Sequence, residues 1–310
     1  MSELRKGLEE YLTVRRVLGF KLQVTGRLLH NFVRFAESEG AAFITTELAL
    51  RWATQPKCQP AQWANRLGVL RCFARYRSAA DARTEIPAEG LLPHRRRRKM
   101  PYLYRDEEVA QLLLTAKQLA SPMGLRAATY STLFGLVSAT GMRISEPLAL
   151  DRQDVDLTMG IITVRQTKFG KSRLVPVHSS TQEVLNHYAN LRDRIFPQPK
   201  TQSFLVSERG TRLKYGSARW TFVKLSHQIG LRGPGDHRGP RLHDLRHRFV
   251  IQTLLQLYRA GADVERHMPA LTTYLGHGHV ADTYWYLSAT PELLRLITAR
   301  LESRKQRRPS

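Results

Sequence analysis

Four separated stretches of this chain hold the side chains best suited to chemistry. In ATGMRISEPLAL, Arg143 and Glu146 stand three residues apart, so on a helical turn the carboxylate shares a face with the guanidinium and can orient it. Such a pair on an open surface is worth little. This arginine, however, follows an apolar helix and a glycine turn, which point it inward. In TKFGKSRLVP, Lys168 and Lys171 sit either side of Phe169-Gly170, at the tip of an expected hairpin. In RLHDLRHRFV, His243 and Arg246 share a face, while His243 and His247 have the spacing of a zinc-binding helix. A zinc site would need a further ligand, for which His277 or His279 would have to serve.

The fourth stretch, LGHGHVADTYWYL, contains two tyrosines. Val280, Tyr284 and Leu287 fall on the core-facing stripe of a helix. Tyr286 then lies about 160° from Tyr284, so the periodicity predicts Tyr284 as packing and Tyr286 as an exposed phenol. Together these types suit phosphoryl transfer on DNA without a metal. Arginines supply planar paired donors to nonbridging oxygens, and fixed cations in a dry site meet the charge of the transition state. A tyrosine phenol can hold the covalent intermediate that keeps bond energy for rejoining.

The elements that must position these groups are mostly helical. Up to about Ser78 the apolar spacing is that of helices, including Leu8, Tyr11 and Leu12, then Leu28, Leu29, Phe32, Val33 and Phe35. Thr45 and Thr46 are candidate N-caps before ELALRWA. A helix from Pro60 to about Arg77 carries Trp63, Leu67, Leu70 and Phe73 on one side and Arg66, Arg71, Arg75 and Arg77 around the rest. It can lie in a DNA groove or present a solvated basic face. IPAEGLLPHRRRRKMP breaks the pattern, and the run Arg95, Arg96, Arg97, Arg98, Lys99 reads as an exposed basic linker. A helix follows at YRDEEVAQLLLTA, and then a buried one at ATYSTLFGLVSATG. GIITVRQTK and KSRLVPVH form a hairpin, with a further short strand at SFLVS. Helix returns from about Leu242 to Tyr258. A last helix after Thr290-Pro291 aligns Leu293, Leu294, Ile297 and Leu301, and SRKQRRPS reads as a basic tail.

The 310 residues allow two domains, and 42% hydrophobic content supports a folded chain. A net charge of +23 makes nucleic acid the leading partner. Lys and Arg are spread throughout, which disfavours a membrane surface, and neither a signal peptide nor a transmembrane run is expected. Cys58 and Cys72 lack ligand spacing and are expected to pack in a reducing compartment.

ATGMRISEPLAL, TKFGKSRLVPV, HDLRH and LGHGHVADTYWY, in this order, resemble the boxes of the tyrosine recombinase or phage integrase family over roughly Tyr102 to Ser288. The resemblance implies a mainly α fold with a small β-sheet: an N-terminal helical, SAM-like core-binding domain (1–90), a linker (91–101), an α+β catalytic domain (102–302) and a tail (303–310). It implies a site-specific DNA recombinase in which Tyr286, nine residues after His277, forms a 3′-phosphotyrosyl link. Arg143 and Arg246 would clamp the phosphate, and Lys168 would protonate the leaving 5′-oxygen. His243 would accept a proton or bind phosphate, His277 would donate to the phosphate, and Glu146 would hold the site together, with Lys171 in a neighbouring basic position. Pro147 stands where the pattern more often has leucine, tolerable in a first turn. No metal or other cofactor is implied. The partners would be double-stranded DNA and a homotetramer on two DNA sites, with or without partner recombinases, in a bacterial cytoplasm and nucleoid. Three rivals are a DNA-binding regulator with an inactive site, a zinc-dependent nuclease using His243, His247 and His277, and a topoisomerase of related chemistry.

Overall fold

The computed structural model describes residues 2–93, 100–165, 172–236, 239–288 and 290–306. The chain divides into two compact units, Met1–Lys99 and Met100–Ser310. In the first, α1 (Glu3–Val17), α2 (Gln23–Ser38), α3 (Thr46–Thr54) and α4 (Pro60–Ser78) pack around Leu8, Leu12, Leu29, Phe32, Trp52, Leu70 and Phe73. Ser2 and Thr45 cap α1 and α3 by accepting from the backbone NH of Arg5 and Leu48. Leu67, Leu70 and Phe73 of the α4 stripe are buried as their spacing predicts, while Trp63 is only half-buried, and Pro60 takes the first-turn position where no NH is needed.

The basic side of α4 differs from a simple solvated face. Arg66 donates to the Trp52 carbonyl at 2.8 Å and lies 4.0 Å over the Trp52 ring. Arg71 donates to the carbonyls of Pro87 and Ala88, at 2.6 and 2.7 Å. Arg77 is buried against Gly7, where an added Cβ would come within 2.7 Å of its guanidinium. These arginines serve the bundle itself, and only Arg75 of the three nominated DNA contacts on this helix stands exposed. Arg95 to Lys99 lie outside the described residues. The free cysteines are not core groups either, since Cys72 is exposed and Cys58 half-buried.

The second unit begins with α5 (Asp106–Lys117) and α6 (Leu125–Thr140), followed by the short α7 (Ser145–Ala149). Strands β1 (Val155–Asp156), β2 (Ile161–Val164) and β3 (Arg173–Pro176) form an antiparallel sheet in the order β1-β2-β3, with Val164 opposite Arg173. The expected hairpin is therefore present, while its tip, with Lys168 and Lys171, lies outside the described residues. Around the sheet and α6 follow α8 (Ser179–Ile195), α9 (Tyr215–Gln228), α10 (Leu242–Arg259) and α11 (Val264–Leu275), and α12 (Ala281–Tyr284) and α13 (Pro291–Gln306) pack on α11 and α10 around a second core. The fold is mainly α with one small sheet, as the pattern indicates.

Three expectations shift. SFLVS makes only isolated bridges, Asp151 with Ser203 and Val206 with Arg212, because the chain turns back at Ser207–Gly210 before a strand can extend. Helix α13 runs to Gln306, into the segment read as a tail, since no proline interrupts it before Pro309. Its stripe splits: Leu293 is buried beside Leu254 and Tyr286 in the chain's own core, whereas Leu294 is exposed. Thr290 caps α13 as expected, accepting from the Leu293 NH at 3.1 Å. No helix among the described residues is long and apolar enough to cross a membrane.

Candidate active site

The site is organised by the end of α11. A helix leaves its last carbonyls without intrahelical partners and concentrates partial negative charge there. Gly276, in the left-handed conformation (φ 64°), turns the chain away and exposes those oxygens. Three arginines from three other elements meet three successive carbonyls. Arg173 of β3 donates to Tyr274 O at 2.7 Å, Arg246 of α10 to Leu275 O at 2.8 Å, and Arg143, just before α7, to Gly276 O at 3.0 Å. A Cβ at Gly276 would lie 2.8 Å from Arg173 Nη1, so the close approach requires glycine.

Glu146 ties two of these arginines together. It accepts from Arg173 Nη1 and Nη2 at 3.0 and 2.8 Å, and from Arg143 Nη1 at 3.2 Å. It also accepts from the Arg143 backbone NH at 2.8 Å, which fixes the turn into α7. Burial alone would raise the Glu146 carboxyl, but Arg173 and Arg143 outweigh it and hold the group below the ordinary carboxylate value. Arg246 is almost fully buried and its second contact is Gly141 O at 2.7 Å. Gly141, the left-handed end of α6, packs so tightly on Phe249 that a Cβ there would come within 2.4 Å of the ring. Burial, and then the neighbouring Arg143, press the Arg246 guanidinium down to about 10. Three guanidiniums against one carboxylate leave a cationic centre, which an anion would relieve.

The histidines and the tyrosine flank that centre. His277 Nδ1 lies 2.7 Å from Thr283 Oγ1, which is 3.0 Å from Thr272 Oγ1. Burial, followed by Arg246 and Arg143, lowers the His277 ring to about 4. The Tyr286 ring lies parallel to His277 at 6.4 Å, and its hydroxyl is 2.7 Å from Nδ1 of His247. His243, exposed in the first turn of α10, faces His247 edge-on at 4.6 Å.

The structure thus gathers Arg143, Glu146, Arg246, His277 and Tyr286, with His243 alongside. It reverses the expected roles of the tyrosines in packing: Tyr286 is 3% exposed and Tyr284 44%. Helix α12 ends after one turn, and Trp285–Ser288 continue as a 3-10 turn with a tighter rotation per residue, so the 100° wheel does not apply. The packed side is the one facing α10 and α13, which takes Tyr286 and leaves Val280 exposed. Among the described residues no three His, Cys, Asp or Glu side chains are grouped to hold a metal. His247 and His277 each direct Nδ1 to a hydroxyl instead.

Two members of the site carry no clear signal in the sequence. In the sequence Arg173 looks like one more arginine in a basic chain, although it shares the inner face of β3 with buried Val175, an unusual place for a charge. The sequence signal at His247 is its zinc-helix spacing from His243, which does not point to a contact with Tyr286.

Comparison with known proteins agrees with this geometry. The phage integrase family matches residues 103–292. The integrase/recombinase y4rB of Sinorhizobium fredii is 49% identical, over 98% of each chain. A XerC tyrosine recombinase of Pelotomaculum thermopropionicum is 30% identical, over 76% of this chain and 73% of the relative. The XerH site-specific recombinase, solved in a post-cleavage complex with its difH substrate, shares the fold with a TM-score of 0.64 at 17% identity, covering 90% of this chain and 78% of that one. The Tn1549 transposon integrase, solved with transposon right end DNA, gives 0.64 at 16% identity, covering 96% and 99%. With this family match added to the arginine cluster and its neighbouring tyrosine, the chain belongs to the phage integrase family, the tyrosine-type site-specific recombinases that cleave and rejoin DNA strands.

Proposed function

We propose that the chain recombines double-stranded DNA for a mobile element, by integration, excision or transposition, through a 3′-phosphotyrosyl intermediate on Tyr286. The observation that carries this reading is the convergence of Arg143, Arg173 and Arg246 on the end of α11, beside His277 and the Tyr286 hydroxyl. Arg143 and Arg246 bind the nonbridging oxygens of the scissile phosphate with the donors that the carbonyls leave over. The Thr283 hydroxyl lies 2.7 Å from Nδ1 of His277, and by donating there it would leave Nε2–H to face the phosphate. Glu146 keeps the guanidiniums in register. Tyr286 attacks, and Lys168 protonates the departing 5′-oxygen. His243 binds the phosphate or takes a proton, and Lys171 adds a DNA contact. A 5′-hydroxyl from the partner strand then attacks the phosphotyrosine and restores the backbone.

Residues 1–90 serve as the core-binding domain, 91–101 as a basic strap bearing Arg95 to Lys99, and 102–302 as the catalytic domain. A lambda integrase of the same fold is solved as a tetramer on a Holliday junction, with a TM-score of 0.59. A homotetramer on two DNA sites, in the bacterial cytoplasm and nucleoid, is the matching assembly here. The identity to y4rB and the Tn1549 likeness support the mobile-element role.

The test uses nicked suicide duplexes made from the DNA flanking the gene. Wild-type protein is expected to give a protease-sensitive covalent adduct and Tyr286→Phe none. An adduct from Tyr286→Phe, or none from wild type on any flanking sequence, contradicts the reading.

A further inference from the structure

We infer that His247 is the catalytic residue that activates the nucleophile, taking the phenol proton on Nδ1 as Tyr286 Oη bonds to phosphorus. This rests on the reading of Tyr286 as nucleophile, and it narrows His243 to the phosphate. In the step, the Oη–H electron pair becomes the Oη–P bond and the proton moves to Nδ1. The P–O5′ bond breaks with its pair on the 5′-oxygen, which takes a proton from the general acid. On rejoining, the 5′-oxygen bonds to phosphorus and its proton returns to the deprotonated general acid, while the P–Oη bond breaks with its pair on Oη, which takes its proton back from the His247 imidazolium.

The geometry is that of a base already engaged. Nδ1 lies 2.7 Å from Oη, inside the reach a general base needs. The phenol is held there by rings on several sides: His247 at 5.4 Å, Trp285 at 5.0 Å and His277 in parallel at 6.4 Å. Trp285 also meets the His247 ring at 5.8 Å and steadies it. The inner faces of Val250, Leu254 and Leu293 close the apolar side, so the hydroxyl is the polar end of a buried ring.

The charges around His247 make the base conditional on substrate. Burial, then His243, Arg241 and Arg246, push its ring down to about 4, with Asp244 opposing them. It is therefore neutral at ordinary pH, with Nε2 carrying the hydrogen when Nδ1 accepts. As it stands it is a poor acceptor for a phenol proton. A phosphate seated on Arg143 and Arg246 would offset the cations that depress it and strengthen it as a base. Phenol activation would then follow correct seating of the phosphate.

The test compares single-turnover adduct formation on two suicide duplexes, one with the natural bridging oxygen and one with a 5′-bridging sulfur, whose departure needs no proton. His247→Gln is expected to slow both substrates by about 10²- to 10⁴-fold, with DNA affinity as the control. His247→Ala is expected to regain part of its rate with added imidazole, following the pH titration of the free base. Lys168→Ala is expected to be slow only with oxygen. A wild-type rate for His247→Gln, a defect confined to the oxygen substrate, or loss of DNA binding in both variants without imidazole rescue overturns the assignment. An adduct from Tyr286→Phe would instead remove the nucleophile beneath it, a result separate from any His247 outcome.

Discussion

Arg173 shows how a single residue organises the site without needing to touch DNA. Its guanidinium spends two donors on Glu146 and one on Tyr274 O, so it fixes the carboxylate that in turn holds Arg143. Removing one partner of a buried ion pair costs about 3–5 kcal/mol. Arg173→Ala is expected near the lower end, because Arg143 still faces Glu146, and urea unfolding measures it. Arg173→Lys keeps the charge but loses the planar fork, so it is expected to recover stability more than cleavage rate. His277 adds a pH dependence. Its folded value of about 4 lies below the ordinary 6.5, so the unfolded chain takes up the proton first as pH falls. The stability tied to the neutral ring is complete above pH 6.5 and is lost as pH drops from 6.5 to about 4. His247 acts in the same direction. Thermal melts across that range are expected to flatten in His277→Asn.

At the scale of elements, the end of α11 and the α12 turn decide the geometry. Arg143 with Glu146, and His243 with Arg246, were legible because a helical turn makes i, i+3 neighbours regardless of tertiary context. The convergence on Tyr274, Leu275 and Gly276 was not, since it joins β3, α10 and the α7 turn from distant parts of the chain. Nor was the burial of Tyr286, which depends on the switch to a 3-10 turn at Trp285. The family spacing from His277 points to Tyr286, whose burial the helical wheel put on the wrong side. Gly276→Ala must both strain the left-handed turn and displace Arg173. It is expected to cost about 1 kcal/mol or more in stability and to lower single-turnover cleavage more than DNA affinity. Leu293→Ala, which opens a gap between α13 and Tyr286, is expected to cost about 2–5 kcal/mol by urea unfolding.

For the whole molecule, composition pointed the right way before any element was placed. A net charge of +23 on 310 residues is a statement about a polyanionic partner. The four-helix first unit was legible from its apolar spacing, whereas the use of its arginines was not. Arg66, Arg71 and Arg77 read as surface charge, yet they hold Trp52, the Pro87–Ala88 carbonyls and the Gly7 contact. DNA affinity is expected to fall steeply with salt. Arg75→Ala is expected to reduce the slope of log affinity against log salt by about one, and Arg66→Ala to act mainly on stability. Fluorescence anisotropy over a salt series, paired with urea unfolding, separates the two.

The most direct measurement is mass spectrometry of the trapped DNA adduct after protease and nuclease digestion. The expected result is a nucleotide joined through its 3′-phosphate to the peptide containing Tyr286. The same mass on a peptide containing Tyr284 alone, or on any other residue, would contradict the assignment of the nucleophile and the mechanism built on it.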